Sequence, residues 1–538
     1  MLTLKRIKSG LFILLFFCFP VVCMGQPTLD WQVLDPNAMM PNQVERFGNS
    51  IYIAGGNDNN GYIAKYSVSG EMIWNKVVPS SYFMAISNSE LIYFTGLVFN
   101  AGLSRTYLGC LNADGEELWN VIIGNSDPGE NYARDIITDP EGNVYICGYR
   151  TTTGYNYHNL YVAKYSASGV FQWDYIYDYD EDESNYSSDE AFDMQYFDNK
   201  IYVVGFSSNG LMFNTTDYYT LVLDSQGAYS WSRVYNHNQG YGMGYCTTID
   251  VDPTGVTIAG SYTPGINAPT GQNACLKYDL EGNSLWQKFW NYEEHSALIK
   301  SISDGAGGSY LAGIKNNYDT LPGIPPFQEF IVEAHTSVFL AHIDNLGNTT
   351  IIDTSEDNDI IALNKDEEGN ILLLSSGLST DNNLHQFNLR KYGVSNLGLE
   401  YTLSIPDNNY YISPYNSELL YCNKEDSYYI LTNIIESSTL NLLITHYSTP
   451  ENISNTENLV SPSIYLYPNP AIEKLYIMGL ESNYYYAIYS MDGRILLTGY
   501  PCDIHNNGID ISQLLPGAYI IKTLTGSGNH YYNQFIKL

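Results

Sequence analysis

Basic residues are scarce. Lys and Arg number 24 in 538 residues against 58 Asp and Glu, a net charge of −34. Such a chain repels phosphate backbones and anionic lipid, which argues against a nucleic-acid binder. Charge of either sign is thin at 15%, whereas apolar residues reach 44%, which excludes a charge-dominated disordered chain. Long hydrophobic runs are missing after the first 25 residues, so no later segment is expected to cross a membrane. Cysteine is sparse and unpaired in pattern. Cys110, Cys147, Cys246, Cys275, Cys422 and Cys502 lie far apart with no CxxC, in apolar runs such as Val144-Tyr-Ile-Cys-Gly148. They read as buried free thiols, not metal ligands. Catalytic signatures are missing too: there is no G-x-S-x-G, HExxH or phosphate-binding G-x-x-x-x-G-K. Nine His are scattered, and His295 beside Glu293 and Glu294 is the nearest approach to an acid–base cluster. Carboxylate pairs are so common in an acidic chain that they single out no glycosidase.

What is abundant is Tyr, with 50 residues, and Gly, with 45. Aromatic and β-branched residues suit pleated, half-buried surfaces, and Gly, Asn and Asp supply turns, so the chain reads as all-β. It begins with Lys5, Arg6 and Lys8, an apolar run from Leu11 to Val22, and small residues before a cut between Gly25 and Gln26. That is an export signal peptide over 1–25, whose h-region is short for a membrane span. Its removal takes three bases and leaves about −37.

Over 26–448 one unit recurs: a strand with a Gly at its end, a gap, a second strand, a Gly turn, and Trp four residues later. Ile51-Tyr-Ile-Ala-Gly55 leads to Gly70 and Trp74, Ile92 to Gly96 leads to Gly115 and Trp119, and Val144 to Gly148 leads to Gly169 and Trp173. Ile201 to Gly205 leads to Gly227 and Trp231, and Val256 to Gly260 to Gly282 and Trp286. The period of these tryptophans is that of four-stranded propeller blades. Three degenerate units follow around Gly313, Ser375 and Thr432, the last without an outer strand. Leu29-Asp30-Trp31-Gln32-Val33-Leu34 is expected to supply that strand and close the ring. The expectation is a seven- or eight-bladed β-propeller of about eight units. In each, the first Gly permits a turn or a neighbour's close approach, the second makes a hairpin, and the Trp fills the gap between blades.

The repeat resembles bacterial β-propeller repeats of secreted proteins and, more distantly, the tryptophan-docking repeats of quinoproteins. Its Asp279-to-Gly282 spacing departs from the quinoprotein motif, and its Gly-to-Trp spacing from sialidase Asp boxes. Neither quinone nor sialidase chemistry is therefore implied, and no cofactor is expected.

Residues 449–463 hold Pro450, Pro462, Ser and Asn and no aromatic, a linker composition. The segment 464–538 is nearly neutral and reads as short alternating strands forming a small β-sandwich. It carries Tyr467-Pro468-Asn469-Pro470, Asp492-Gly493-Arg494, Leu514-x-x-Gly517-x-Tyr519 and a terminal Phe535-Ile536-Lys537. These motifs, in this order, resemble the type A C-terminal sorting domain of the type IX secretion system of Bacteroidota. The resemblance implies recognition by the outer-membrane translocon, cleavage by its sortase-like peptidase, and release or attachment at the cell surface. Pro468, Asn469, Pro470, Asp492, Gly493, Arg494, Gly517, Tyr519 and Lys537 carry it. Each also has an ordinary folding use; Asp492-Gly493 is a hairpin turn, and Gly517 suits one.

The acidic stretch Asp178, Asp180, Asp182, Glu183 alternates carboxylates as a Ca²⁺ loop does. Glu183 stands where such a loop needs Gly, and a solvated acidic connection is the ordinary reading. Function is then expected to be binding or scaffolding outside the cell, adhesive or glycan-binding, with an unknown glycan or protein ligand. A hydrolase or lyase with carboxylates in the central pocket is the alternative, and a purely structural surface protein a third reading.

Overall fold

The computed structural model describes residues 28–35, 41–56, 60–100, 102–124, 129–151, 158–178, 188–208, 216–235, 243–263, 272–290, 295–321, 330–366, 368–378, 385–394, 397–405, 411–422, 427–436, 439–448, 465–467, 471–478, 484–490, 495–499, 509–525 and 530–537. The leader with Gly25 and Gln26, as well as Asp180, Asp182, Pro468, Asn469, Pro470, Asp492, Gly493 and Arg494, lies outside them. The described residues contain strands and turns and no helix. Two compact units separate, Pro27–Thr449 and one containing Pro450–Leu538.

The first unit is built from eight four-stranded antiparallel sheets. The third is typical: Asn131–Thr138, Val144–Thr151, His158–Tyr165 and Phe171–Tyr177, paired in chain order. The fourth and fifth are joined by one parallel pairing, Thr216 to Met243. The first strands of successive sheets lie side by side, Pro41–Phe47 next to Phe83–Ile86 and so on round to Tyr411–Cys422. That last strand lies again beside Pro41–Phe47, so the sheets form a closed ring, a β-propeller. Closure is by exchange of ends, as the sequence suggested. Thr28–Asp35 pairs with Thr439–Ser448 and completes the eighth sheet, with Gln32 opposite Thr445.

Apolar layers fill the space between neighbouring sheets. Tyr93, Leu108 and Cys110 pack against Ile136, Val144 and Ile146, for example. Burial of this kind is the main driving force for such a fold. The tryptophans lock it from outside. Trp119 lays its ring on Gly169 of the next sheet's hairpin and donates Nε1–H to Ala167 O at 2.9 Å. Trp74, Trp173, Trp231 and Trp286 repeat the arrangement against Gly115, Gly227, Gly282 and Gly347. These glycines have φ between 79° and 84°, so the position suits Gly for its backbone and for the ring above it.

The other recurrent glycine makes no turn, and the close approach it permits is that of the adjacent strand of its own sheet, not of a neighbouring blade. The chain does not turn at Gly148 or Gly205; both lie inside strands, Val144–Thr151 and Lys200–Ser208. Their partner strands bulge directly opposite. The ladder skips Arg134 between Ala133 and Asp135, and Phe192 between Ala191 and Asp193. A methyl on Gly148 or Gly205 would collide with the carbonyl of Tyr132 or Glu190. The glycine is therefore required by the bulge on the strand beside it. In the seventh sheet Ser375 takes this place, and its Oγ donates to buried Asp357 at 2.6 Å.

In the second unit, Tyr465–Tyr467, Lys474–Met478 and Ile509–Asp510 form one sheet. Ile495–Gly499, Tyr484–Ser490, Gly517–Thr525 and His530–Lys537 form another. Leu475 and Ile509 from the first share one core with Ile488, Ile521 and Phe535 from the second. Cys110, Cys147, Cys246 and Cys275 are buried free thiols, and burial pushes Cys110 up to about 12.

Candidate functional site

The two ends of the ring differ. At one end the first and second strands of a sheet are joined by tight turns such as 48–49, 198–199 and 253–254. At the other the connections are long: 152–157, 209–215 and 264–271 within sheets, 179–187 and 236–242 between them. Loops held by a rigid scaffold are where binding residues concentrate, so the long-connection end is the place to look.

The ring's inner wall is a girdle of side-chain bonds. In the second, fourth and fifth sheets, N–H groups of the first strand find side-chain partners on the first strand of an earlier neighbouring sheet. Gln43 Oε1 accepts from Met84 N at 2.7 Å, and Glu45 Oε2 from Ile86 N at 3.1 Å. Asp135 Oδ2 accepts from Met194 N and Asp193 Oδ2 from Ile249 N, both at 3.0 Å; Gln195 Oε1 accepts from Val251 N at 2.6 Å. Burial raises Glu45 and Asp193 to about 7. It raises Asp135 well above its ordinary value, with the Asp193 charge adding to it. The positive charges of Lys300 and Lys365 act against the rise at Asp193 and Asp250 respectively. This girdle holds the inner strands together and answers the backbone polar groups that an open edge leaves unpaired.

Above it, at the long-connection end of the third to fifth sheets, lies a different cluster. The bulges put Arg134 and Phe192 outside the ladder. Glu190, 7% exposed, accepts from Arg134 Nη2 at 3.0 Å and is hydrogen-bonded to His158 Nδ1. Burial works to raise Glu190, but the bonds to His158 and Arg134 outweigh it and hold the carboxyl below its ordinary value. His158 stacks on Tyr149 with ring centroids 3.8 Å apart, and Tyr149 stacks on Tyr132 at 4.9 Å. The Arg134 guanidinium lies 5.5 Å from the Tyr149 ring and 5.7 Å from that of Phe192. Phe192 continues to Phe206 and Phe206 to Tyr245, each at 5.5 Å. The result is an arc of aromatic rings across three sheets with one cation–carboxylate pair in its midst. The Arg134 side chain is 42% exposed and Tyr245 37%. Equivalent bulge positions elsewhere carry Asn42, Thr247, Ile299 and Ile361, so the arc is confined to this sector.

None of these residues stands out in the sequence by motif. A signal was there: Arg134, Phe192 and Thr247 each precede the tryptophan of their sheet by 39 residues. Aligning units on that tryptophan isolates one position that varies among Arg, Phe and Thr. Of the residues that the sequence singled out, Asp178 accepts from Asn159 Nδ2 at 3.2 Å, at the edge of the third sheet. Among the described residues no three His, Cys, Asp or Glu are grouped to hold a metal. His295 opens the first strand of the sixth sheet; Glu293 and Glu294 lie outside the described residues. In the second unit Gly517 opens a strand opposite Lys537 and makes no hairpin turn, a correction to its suggested use. Tyr519 is buried, stacks on Phe535 and donates to Leu515 O at 2.6 Å. Lys537 is buried and bridges to Ala471.

No curated protein matches the chain. Among solved structures it is similar to the polysaccharide lyase Uly1, at 10% identity over 76% of this chain and 90% of that one, TM-score 0.38. It is similar to the β-propeller domain of the Trilobed protease from Pyrococcus furiosus, at 12% identity over 69% and 97%, TM-score 0.39. A puromycin hydrolase matches at 10% identity over 82% of this chain and 58% of that one, TM-score 0.41. Residues 465–537 match the family described as the secretion system C-terminal sorting domain. The chain is thus an all-β cargo protein of the type IX secretion system, carrying its sorting domain behind a β-propeller and destined for the cell surface or beyond.

Proposed function

We propose that the propeller binds carbohydrate outside the cell, at the long-connection end of its third to fifth sheets, without chemically changing it. The observation that carries this reading is the aromatic arc Tyr132, Tyr149, Phe192, Phe206, Tyr245 beside Arg134. Tyr149 and Phe206 are buried, with Tyr149 stacked on both His158 and Tyr132, so the rings that reach the surface, Tyr132, Phe192 and Tyr245, offer the faces on which successive sugars stack, at little cost in conformational entropy. In this reading residues 1–25 are the leader, 26–448 the binding body, 449–463 a spacer and 464–538 the sorting tail. The translocon reads the tail, and the sortase-like peptidase of the system removes it. The motif residues from Pro468 to Lys537 then shape the tail for recognition.

The test uses the full chain against a panel of polysaccharides, recording retained protein and released reducing sugar together. Retention without product is expected, with Phe192→Ala weakening it about tenfold, in the range of one well-packed aromatic contact. No retention by any polysaccharide would defeat the proposal. A second reading, a lyase or hydrolase, has one observation in its favour: Glu190 holds His158 at Nδ1 as a positioned base is held. Product that disappears in His158→Ala would establish that reading instead.

A further inference from the structure

We propose that Glu190 sets the class of ligand, admitting uncharged polysaccharide and rejecting polyanions. This deepens the carbohydrate-binding reading and rests on it. The arc contains two groups that ordinarily attract acidic sugars, Arg134 and His158. Both are engaged by the same carboxylate, Arg134 through Nη2 at 3.0 Å and His158 through Nδ1. Glu190 is nearly buried and its low proton affinity keeps it ionised, so its charge cancels that of the guanidinium at the point where a ligand would meet it. The guanidinium's flat face is spent on Tyr149 and Phe192.

The surroundings add to this. The chain as a whole carries −34. A sulfated or uronic-acid polymer would therefore approach a negative body and find the guanidinium of the arc already neutralised. An uncharged polymer pays neither penalty and uses the ring faces. Rejection of the wrong ligand here comes from an occupied cation, a repulsive element built into the site.

The decisive experiment is affinity electrophoresis of the full chain in native gels. One set contains mixed-linkage glucan or galactomannan, the other polygalacturonate or alginate. The wild-type chain is expected to be retarded by the uncharged polymers equally at low and high salt, and to pass the polyanions unretarded. Glu190→Gln keeps the shape and uncovers Arg134. It should acquire retardation by polyanion of about tenfold, the worth of one charge-assisted hydrogen bond, and lose it at high salt. The double variant Glu190→Gln/Arg134→Gln should lose that gain. Wild-type retardation by polyanion would overturn the role of Glu190 while leaving carbohydrate binding intact. So would a Glu190→Gln chain that melts like wild type yet gains nothing. If Glu190→Gln melts far below wild type, the wild-type comparison across the two polymer classes and two salt levels still decides. Retardation by neither class removes the binding reading and this one with it.

Discussion

Gly169 and Trp119 form the smallest working part of the ring. Trp119→Phe keeps most of the stacking but removes the Nε1–H bond to Ala167, so a loss of about 1 kcal/mol in urea unfolding is expected. Gly169→Ala meets two obstacles at once, a φ of 79° and the Trp119 ring, and should cost about 1–3 kcal/mol by the same measurement. A neutral result for Gly169→Ala would mean that the ring yields more easily than its packing suggests. The titrating residues set a pH dependence with a definite sign. Glu45 and Asp193 sit near 7 when folded and near their ordinary carboxylate values when unfolded. Between about 4 and 7 the folded chain therefore holds more protons, and stability falls as pH rises through that window. Asp304, held near 2 chiefly against its burial by the His342 bond, works the other way. Its contribution is present above about 4 and lost as pH falls towards 2. Melting temperature should therefore peak in mild acid, and Glu45→Gln should flatten the decline towards neutrality. A melting temperature that climbs steadily from pH 4 to 7 would contradict this.

At the scale of strands and sheets, much was legible and the reasons are specific. Strand, hairpin glycine and tryptophan recur because each does one local job in each of the first five sheets, so their spacing repeats there even where the sequence drifts. The closing strand was legible because Leu29 to Leu34 had the right pattern and no other partner. The role of Gly148 and Gly205 was not, since it is dictated by a bulge on the neighbouring strand, and a bulge leaves no mark of its own in composition. The aromatic arc was hidden for the same reason. Arg134, His158 and Glu190 come from three strands and meet only after two bulges have turned their strands. Removing 28–35 should leave Thr439–Ser448 as an open edge beside seven complete sheets. A lower melting temperature and concentration-dependent self-association by light scattering are expected. A monomer with wild-type melting would show the eighth sheet to be complete without it.

For the whole molecule, destination was easier to read than activity. The sorting tail is a linear set of motifs close to the end of the chain, and 465–537 match its family. The proposed ligand site has no such linear form. Deleting 464–538 should leave the propeller in the periplasm, as judged by fractionation of cells and medium. Normal amounts of the truncated chain outside the cell would mean that export relies on something else.

Of the propeller's strands, the one that closes the ring, Thr28–Asp35, is made before the others and paired last. Gln32 and Thr445 stand 413 residues apart, so the pairing waits until nearly the whole propeller has been made and carried across the inner membrane. Until then that strand and its future edge are both unpaired, and closing so long a loop is entropically costly. Export therefore has a clock in it. The sorting tail emerges just after Thr439–Ser448, so the signal to leave the periplasm is spelled out only once everything needed to seal the ring is already there.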